Sequence, residues 1–143
     1  MQFSKDYLIN VANVAMAQIL ASVGSSVVMS WGIRGRGCGE AEHDGNVMPC
    51  LLLNVSGLIH TGLVVVALNE MKDVYEVQLR PVGKPAGEWI TDVYCDQLGS
   101  LIDSLVERPS GMSDEDYKTL SDADSFVKNG LGGISKYLPI YLN

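Results

Sequence analysis

The sequence is short of the residues from which compact chemical sites are usually built. Two histidines and three cysteines are spread over 143 residues, and no C-x-x-C pair occurs. Cys38, Cys50 and Cys95 are odd in number and far apart, which fits neither a disulfide framework nor a zinc pattern. Three reduced thiols in a cytoplasmic protein are therefore expected. No run reaches the ~18 apolar residues of a membrane span, so no membrane association is expected. The opening MQFSKDYLIN has neither the basic start nor the small-residue cleavage site of an export signal. Basic charge is scarce: ten Lys and Arg stand against seventeen Asp and Glu, for a net charge of −7. The deficit is concentrated in residues 88–124, where ten acids face only Arg108 and Lys118. Phosphate contacts need a basic surface, so no nucleic-acid partner is expected.

What the sequence does have is a core. Apolar residues make up 47% of a chain whose length suits one domain. Ser4 can cap a helix in which Leu8, Val11, Ala12, Ala15, Ile19 and Val23 recur at helical spacing, with Gly24 as its stop; the helix is expected over about 5–22. Val27, Met29, Trp31 and Ile33 alternate with small or polar residues and predict a first strand, with Val28 as the exception. RGRGCGEAEHDGN then predicts a glycine-rich loop over 34–46. Pro49 opens a second strand, CLLLNVSGLI. A turn at His60, Thr61 and Gly62 leads to LVVVALN, which is apolar on both faces, and VYEVQLR alternates cleanly as a fourth strand. Thr91 or Asp92 can cap a second helix, expected near 93–107, with Leu98, Leu101, Ile102 and Leu105 as its apolar stripe. Short helices are expected over about 113–120 and 121–128.

The expected architecture is α+β: a four-stranded antiparallel sheet with two helices on one face, short C-terminal helices and an apolar tail. A variant adds a short fifth strand near Glu88 to Thr91. Residues 1–129 form the domain in this reading and residues 130–143 an arm hinged at Gly130, Gly132 and Gly133. The order resembles that of double-stranded RNA-binding domains, but their basic second helix is acidic here.

The loop 34–46 carries the densest chemistry, with Arg34, Arg36, Cys38 and His43 as candidate ligand-binding residues. Convergent backbone N–H groups among its glycines, helped by two arginines, can hold an anion. Against this, acids and a strand follow where a phosphate loop has a helix and a lysine, and a surface loop or a partner-binding loop explains the composition as well. Cys38 with His43 or His60 could form a nucleophile and its base, but no cysteine-enzyme signature surrounds them. His43 with Glu42, Asp44 and Cys38 matches no zinc or calcium spacing. Asp92, Asp96 and Asp103 read as a solvated helical face. Cys50 and Cys95 sit in apolar patterns and are expected to be buried, with Cys38 the most accessible thiol. No catalytic residue, metal or cofactor is expected. Tyr137, Leu138, Ile140 and Tyr141 crowd the end of the chain and are candidate partner-binding residues.

NVSGLIHTGLVVVALNE, DVYEVQLRP and DVYCDQLGSLIDSLVER share a valine-rich hairpin, a Tyr-x-Val-x-Leu strand and a Val-Tyr-x-x-x-Leu helix start. Over about residues 50–108 the chain resembles small α+β proteins of gut bacteria and of their phages and mobile elements. That resemblance implies no activity and no site residues. The functional expectation is a non-catalytic protein-interaction module, an accessory or inhibitor protein of a phage or mobile element, with a protein partner and homo-oligomeric assembly. The alternative is a small-ligand or nucleotide-binding protein, or a small enzyme, using the loop 34–46. Since Leu51 to Leu53 and Val64 to Val66 are apolar on both strand faces, the face away from the helices needs a cover, either a second copy or the chain's own tail.

Overall fold

The computed structural model describes residues 2–107. The fold is α+β, with a five-stranded antiparallel sheet and helices. The elements are α1 (Lys5–Val23), α2 (Ser25–Ser30), β1 (Gly35–His43), β2 (Asn46–Ser56), β3 (Thr61–Asn69), β4 (Val74–Pro81), β5 (Ile90–Val93) and α3 (Leu98–Val106). Each strand pairs with its sequence neighbour in the order β1-β2-β3-β4-β5, as short connections favour. The expected short helices after 112, the arm 130–143 and Tyr137, Leu138, Ile140 and Tyr141 lie outside the described residues.

α1 forms as its caps and stripe dictate. Ser4 Oγ accepts from the Tyr7 N–H at 3.2 Å, and the Gly24 N–H closes the last turn on Leu20. By length and composition α1 could cross a bilayer, although no purely apolar run of that length is evident in the sequence. Here its buried residues Leu8, Ala12, Ala15 and Ile19 join the core under the sheet. α3 packs beside it, so both long helices cover one face, made by Cys38, Leu51, Leu53, Val64, Val66 and Val77. Gly99 makes that crossing possible: a Cβ there would come within 2.2 Å of Ser22 Oγ.

Two expectations are overturned. Residues 27–33 do not form a strand; 25–30 are helical. Val28 and Trp31, three apart, both turn into the core, which a helix allows and a strand does not. Ser30 donates back to the Val27 carbonyl, and the Trp31 indole N–H donates to buried Asp103 at 2.9 Å. Asp103 is therefore not part of a solvated face. The second correction is that the loop 34–46 is a hairpin. β1 pairs with β2 from Gly35↔Asn54 to His43↔Asn46 across the two-residue turn Asp44–Gly45. Both turn residues have positive φ, 51° and 80°, as a type I′ turn requires. The strand count is thus five, because β5 joins at the edge and β1 replaces the segment 27–33. The helix expected from 93 begins at Leu98, after an exposed turn at 94–97. The turn between β2 and β3 lies at 57–60, a few residues earlier than expected.

The thiols are redistributed as well. All three are free, but Cys38 is buried beneath α1 and Cys95 is exposed in the turn before α3, the reverse of the expected ranking. Cys50 is buried, as expected.

Candidate functional site

The hairpin pulls the candidate ligand residues apart. Arg34 precedes β1, is exposed, and bonds Ser56 Oγ at 3.2 Å. His43 closes the far end of the nine-residue strand, roughly 30 Å away by strand rise. Arg36 and Cys38 stand opposite Leu53 and Leu51, on the helix-covered face. Burial raises the Cys38 thiol pKa, with Lys5 opposing the shift. No anion cradle results, and Cys38 and His43 do not meet.

His43 instead takes part in an assembly that no spacing announced. β2 pairs with β1 from Asn46 to Asn54 but with β3 only from Cys50 onward, so the β1–β2 tip projects past the end of β3. It curls across the face opposite the helices, and His43 Nδ1 reaches Glu76 Oε1 of β4 at 2.6 Å. Asn69 Nδ2 donates to Glu76 Oε2 at 2.9 Å, and Trp89 stacks on the His43 ring with centroids 5.3 Å apart. Glu76 is only 6% exposed, so these bonds answer the desolvation of its carboxyl. With Nδ1–H donating to Glu76, His43 Nε2 faces Asp44 Oδ2 at 3.4 Å. The geometry orients an imidazole as a base would be oriented, but its neighbours are Asp44 and Trp89, and among the described residues it contacts no nucleophile. Among the described residues no three His, Cys, Asp or Glu side chains converge to hold a metal ion. The corner is a latch that closes the curled hairpin on the sheet.

A second feature lies at the other edge. An open cavity of about 540 Å³ runs between β5 and α3, lined by Ile90, Thr91, Asp92, Val93, Asp96, Gln97, Ser100 and Leu101. Among the described residues β5 has a strand neighbour on one side only. Asp92 sits at a bulge in the β4–β5 pairing with φ 56°, and its carboxylate is 4.0 Å from the Lys72 ammonium. Asp92, Asp96 and Tyr94 are exposed. The apolar floor of Ile90, Val93 and Leu101 and the acidic rim belong to one surface. Nothing in the spacing of the acids revealed this groove, since it depends on β5 and α3 sharing an edge.

No family model, curated protein or solved structure matches the chain.

Proposed function

We propose that the chain is a non-catalytic protein-interaction module, an accessory or inhibitor protein of a phage or mobile element, and that its groove between β5 and α3 takes a basic segment of a partner protein. The observation that carries this reading is the open 540 Å³ cavity with Asp92 and Asp96 on its rim and Ile90, Val93 and Leu101 on its floor. Its size is that of a site for a few side chains. An acidic rim over an apolar floor suits a Lys or Arg whose methylene stem lies on the floor while its charge meets the carboxylates. Strand addition to β5 is disfavoured. The strand has only four residues and bulges at Asp92, two devices that blunt a sheet edge. Side-chain docking in the groove is the mode that remains. Arg34 just before β1, and Arg36, Cys38 and His43 along it, are spread over a strand, which supports the interaction reading over a small-ligand site in 34–46.

The test is a nitrogen-15 NMR titration with two ten-residue peptides, one alternating Lys and Leu and one alternating Glu and Leu. The basic peptide is expected to shift amides of residues 90–101 saturably, and Asp92→Lys with Asp96→Lys to weaken binding at least tenfold. Equal binding of both peptides, or shifts that avoid 90–101, would overturn the groove assignment.

A further inference from the structure

A basic side chain of the chain's own already stands at the groove rim. Lys72 Nζ lies 4.0 Å from Asp92 Oδ1, and Asp92 lines the cavity. Lys72 belongs to neither wall of the groove; it comes from the turn at 70–73 between β3 and β4. Sheet register brings the two together. Tyr75 of β4 pairs with Val93 of β5, so the start of β4, and the turn before it, lies beside the end of β5 that carries Asp92. The turn itself is tied down. The Lys72 N–H donates to Asn69 Oδ1 at 3.2 Å, and Asn69, only 5% exposed, donates through Nδ2 to Glu76 Oε2. The backbone that carries the ammonium is thus anchored to the His43–Glu76 latch. On the acid's side, the bulge at Asp92 re-aims a residue that a regular edge strand would place differently.

We propose that Lys72 is a competitor in cis: it holds, on Asp92, the place that a partner's basic side chain takes, and the partner must displace it. The proposal rests on the groove reading above and gives that site its selectivity. An ion pair at this distance, between side chains 64% and 62% exposed, is weak, so Lys72 yields to a partner rather than closing the groove. A lone ammonium arriving at Asp92 only exchanges one such pair for another. A net gain needs what the Lys72–Asp92 pair leaves unused, the floor of Ile90, Val93 and Leu101 and the second acid, Asp96. Among the described residues Asp96 makes no ion pair. The favoured partner is therefore a segment with two basic residues and an apolar side chain beside them, over an isolated lysine or a small amine.

The experiment measures the affinity of the alternating Lys-Leu peptide for the full chain at low ionic strength, read from the amides of residues 90–101. Lys72→Gln removes the ammonium and keeps the backbone N–H that bonds Asn69. It is expected to tighten binding roughly two- to fivefold, the worth of one exposed pair. Lys84→Gln removes the same charge past the other end of β4, roughly 20 Å away by strand rise, and should change binding by less than about half that factor. In an Asp92→Asn background, where asparagine tolerates the positive φ, Lys72→Gln should give no gain. Equal affinity of the parent and Lys72→Gln, an equal gain from Lys84→Gln, or a gain that persists with Asp92→Asn would each overturn the competitor and leave the groove reading standing. Failure of the peptide to shift 90–101 in both the parent and Lys72→Gln would overturn the two together, whereas binding seen only in Lys72→Gln supports both.

Discussion

The two faces of one sheet are built by different rules. The helix side is a continuous apolar layer in which the one buried acid on α3 that faces it, Asp103, accepts from the Trp31 indole. The opposite side, among the described residues, is smaller, with six buried apolar residues, and passes at one end into the polar corner of His43, Glu76, Asn69 and Trp89. On the first side, adjacency in space follows apolar periodicity. On the second it follows from the curl of a hairpin that outruns its neighbour. The contrast shows that apolar run length predicts burial better than it predicts what does the burying.

Adjacent residues of β2 give the sharpest way to break this comparison. Leu53 faces the helices and Leu52 faces away. Leu53→Ala is expected to cost about 4 kcal/mol, near the upper end for core leucines, because rigid helices hold the cavity open. Leu52→Ala should cost less, about 2–3 kcal/mol, because it belongs to the smaller cluster with Ala41, Val65 and Ala67. Urea midpoints of the parent and the two variants measure this, and equal costs at the two positions would contradict it.

Alkaline pH should separate the faces next. Burial pushes the Cys50 thiol up from 9.0 to about 12, on the side away from the helices. It pushes the Tyr75 phenol up from 10.0 to about 12, on the helix side, where its hydroxyl also donates to Gln18. Both native groups keep their protons after the unfolded chain has lost them. Their stabilisation is complete below the unfolded values and declines as pH rises toward 12, by up to about 1.4 kcal/mol per pH unit for each group. Loss should begin near pH 9 from Cys50 and steepen above pH 10 as Tyr75 adds its share. Cys50→Ala should therefore flatten the pH 9–10 part of the curve in reducing buffer, and Tyr75→Phe the part above it. Unchanged slopes would mean these groups ionise alike in both states.

The smallest expected effect is at the latch. Glu76→Ala removes both acceptor oxygens, so His43 Nδ1 and Asn69 Nδ2 both lose their partner. A cost of about 1–2 kcal/mol is expected, together with a changed Trp89 emission as the indole loses its stacked neighbour. An unaltered fluorescence spectrum would show that Trp89 is held without the histidine.

Much of this was legible in the sequence. α1 follows from Ser4, its apolar stripe and Gly24, and β2 to β4 from their runs and short connections. The errors have local causes. Glycines at 35, 37 and 39 lower strand propensity and disguised β1 as a loop, although Asp44–Gly45 between paired segments is a strong hairpin signal that was there to be read. Val28, the one residue that broke the alternation of 27–33, was the mark of a helix, since with Trp31 it makes an i, i+3 pair. Asp103 looked solvated because its partner is 72 residues away. The His43–Glu76 contact, spanning 33 residues, and the groove beside β5 are set by curl and edge packing that no local pattern encodes.

The separation of α1 and α3 along the chain has a consequence for synthesis. The apolar stripe of α1 is finished about eighty residues before its companion α3. At roughly 5–20 residues per second, that leaves the stripe waiting roughly 4–16 s. Throughout that interval the nascent chain carries a nineteen-residue apolar helix with no completed core to enter. For those seconds it presents the same face to the ribosome's surroundings as a segment bound for a membrane, and the timing of β2 and α3, rather than the composition of α1, decides that it ends in a folded core.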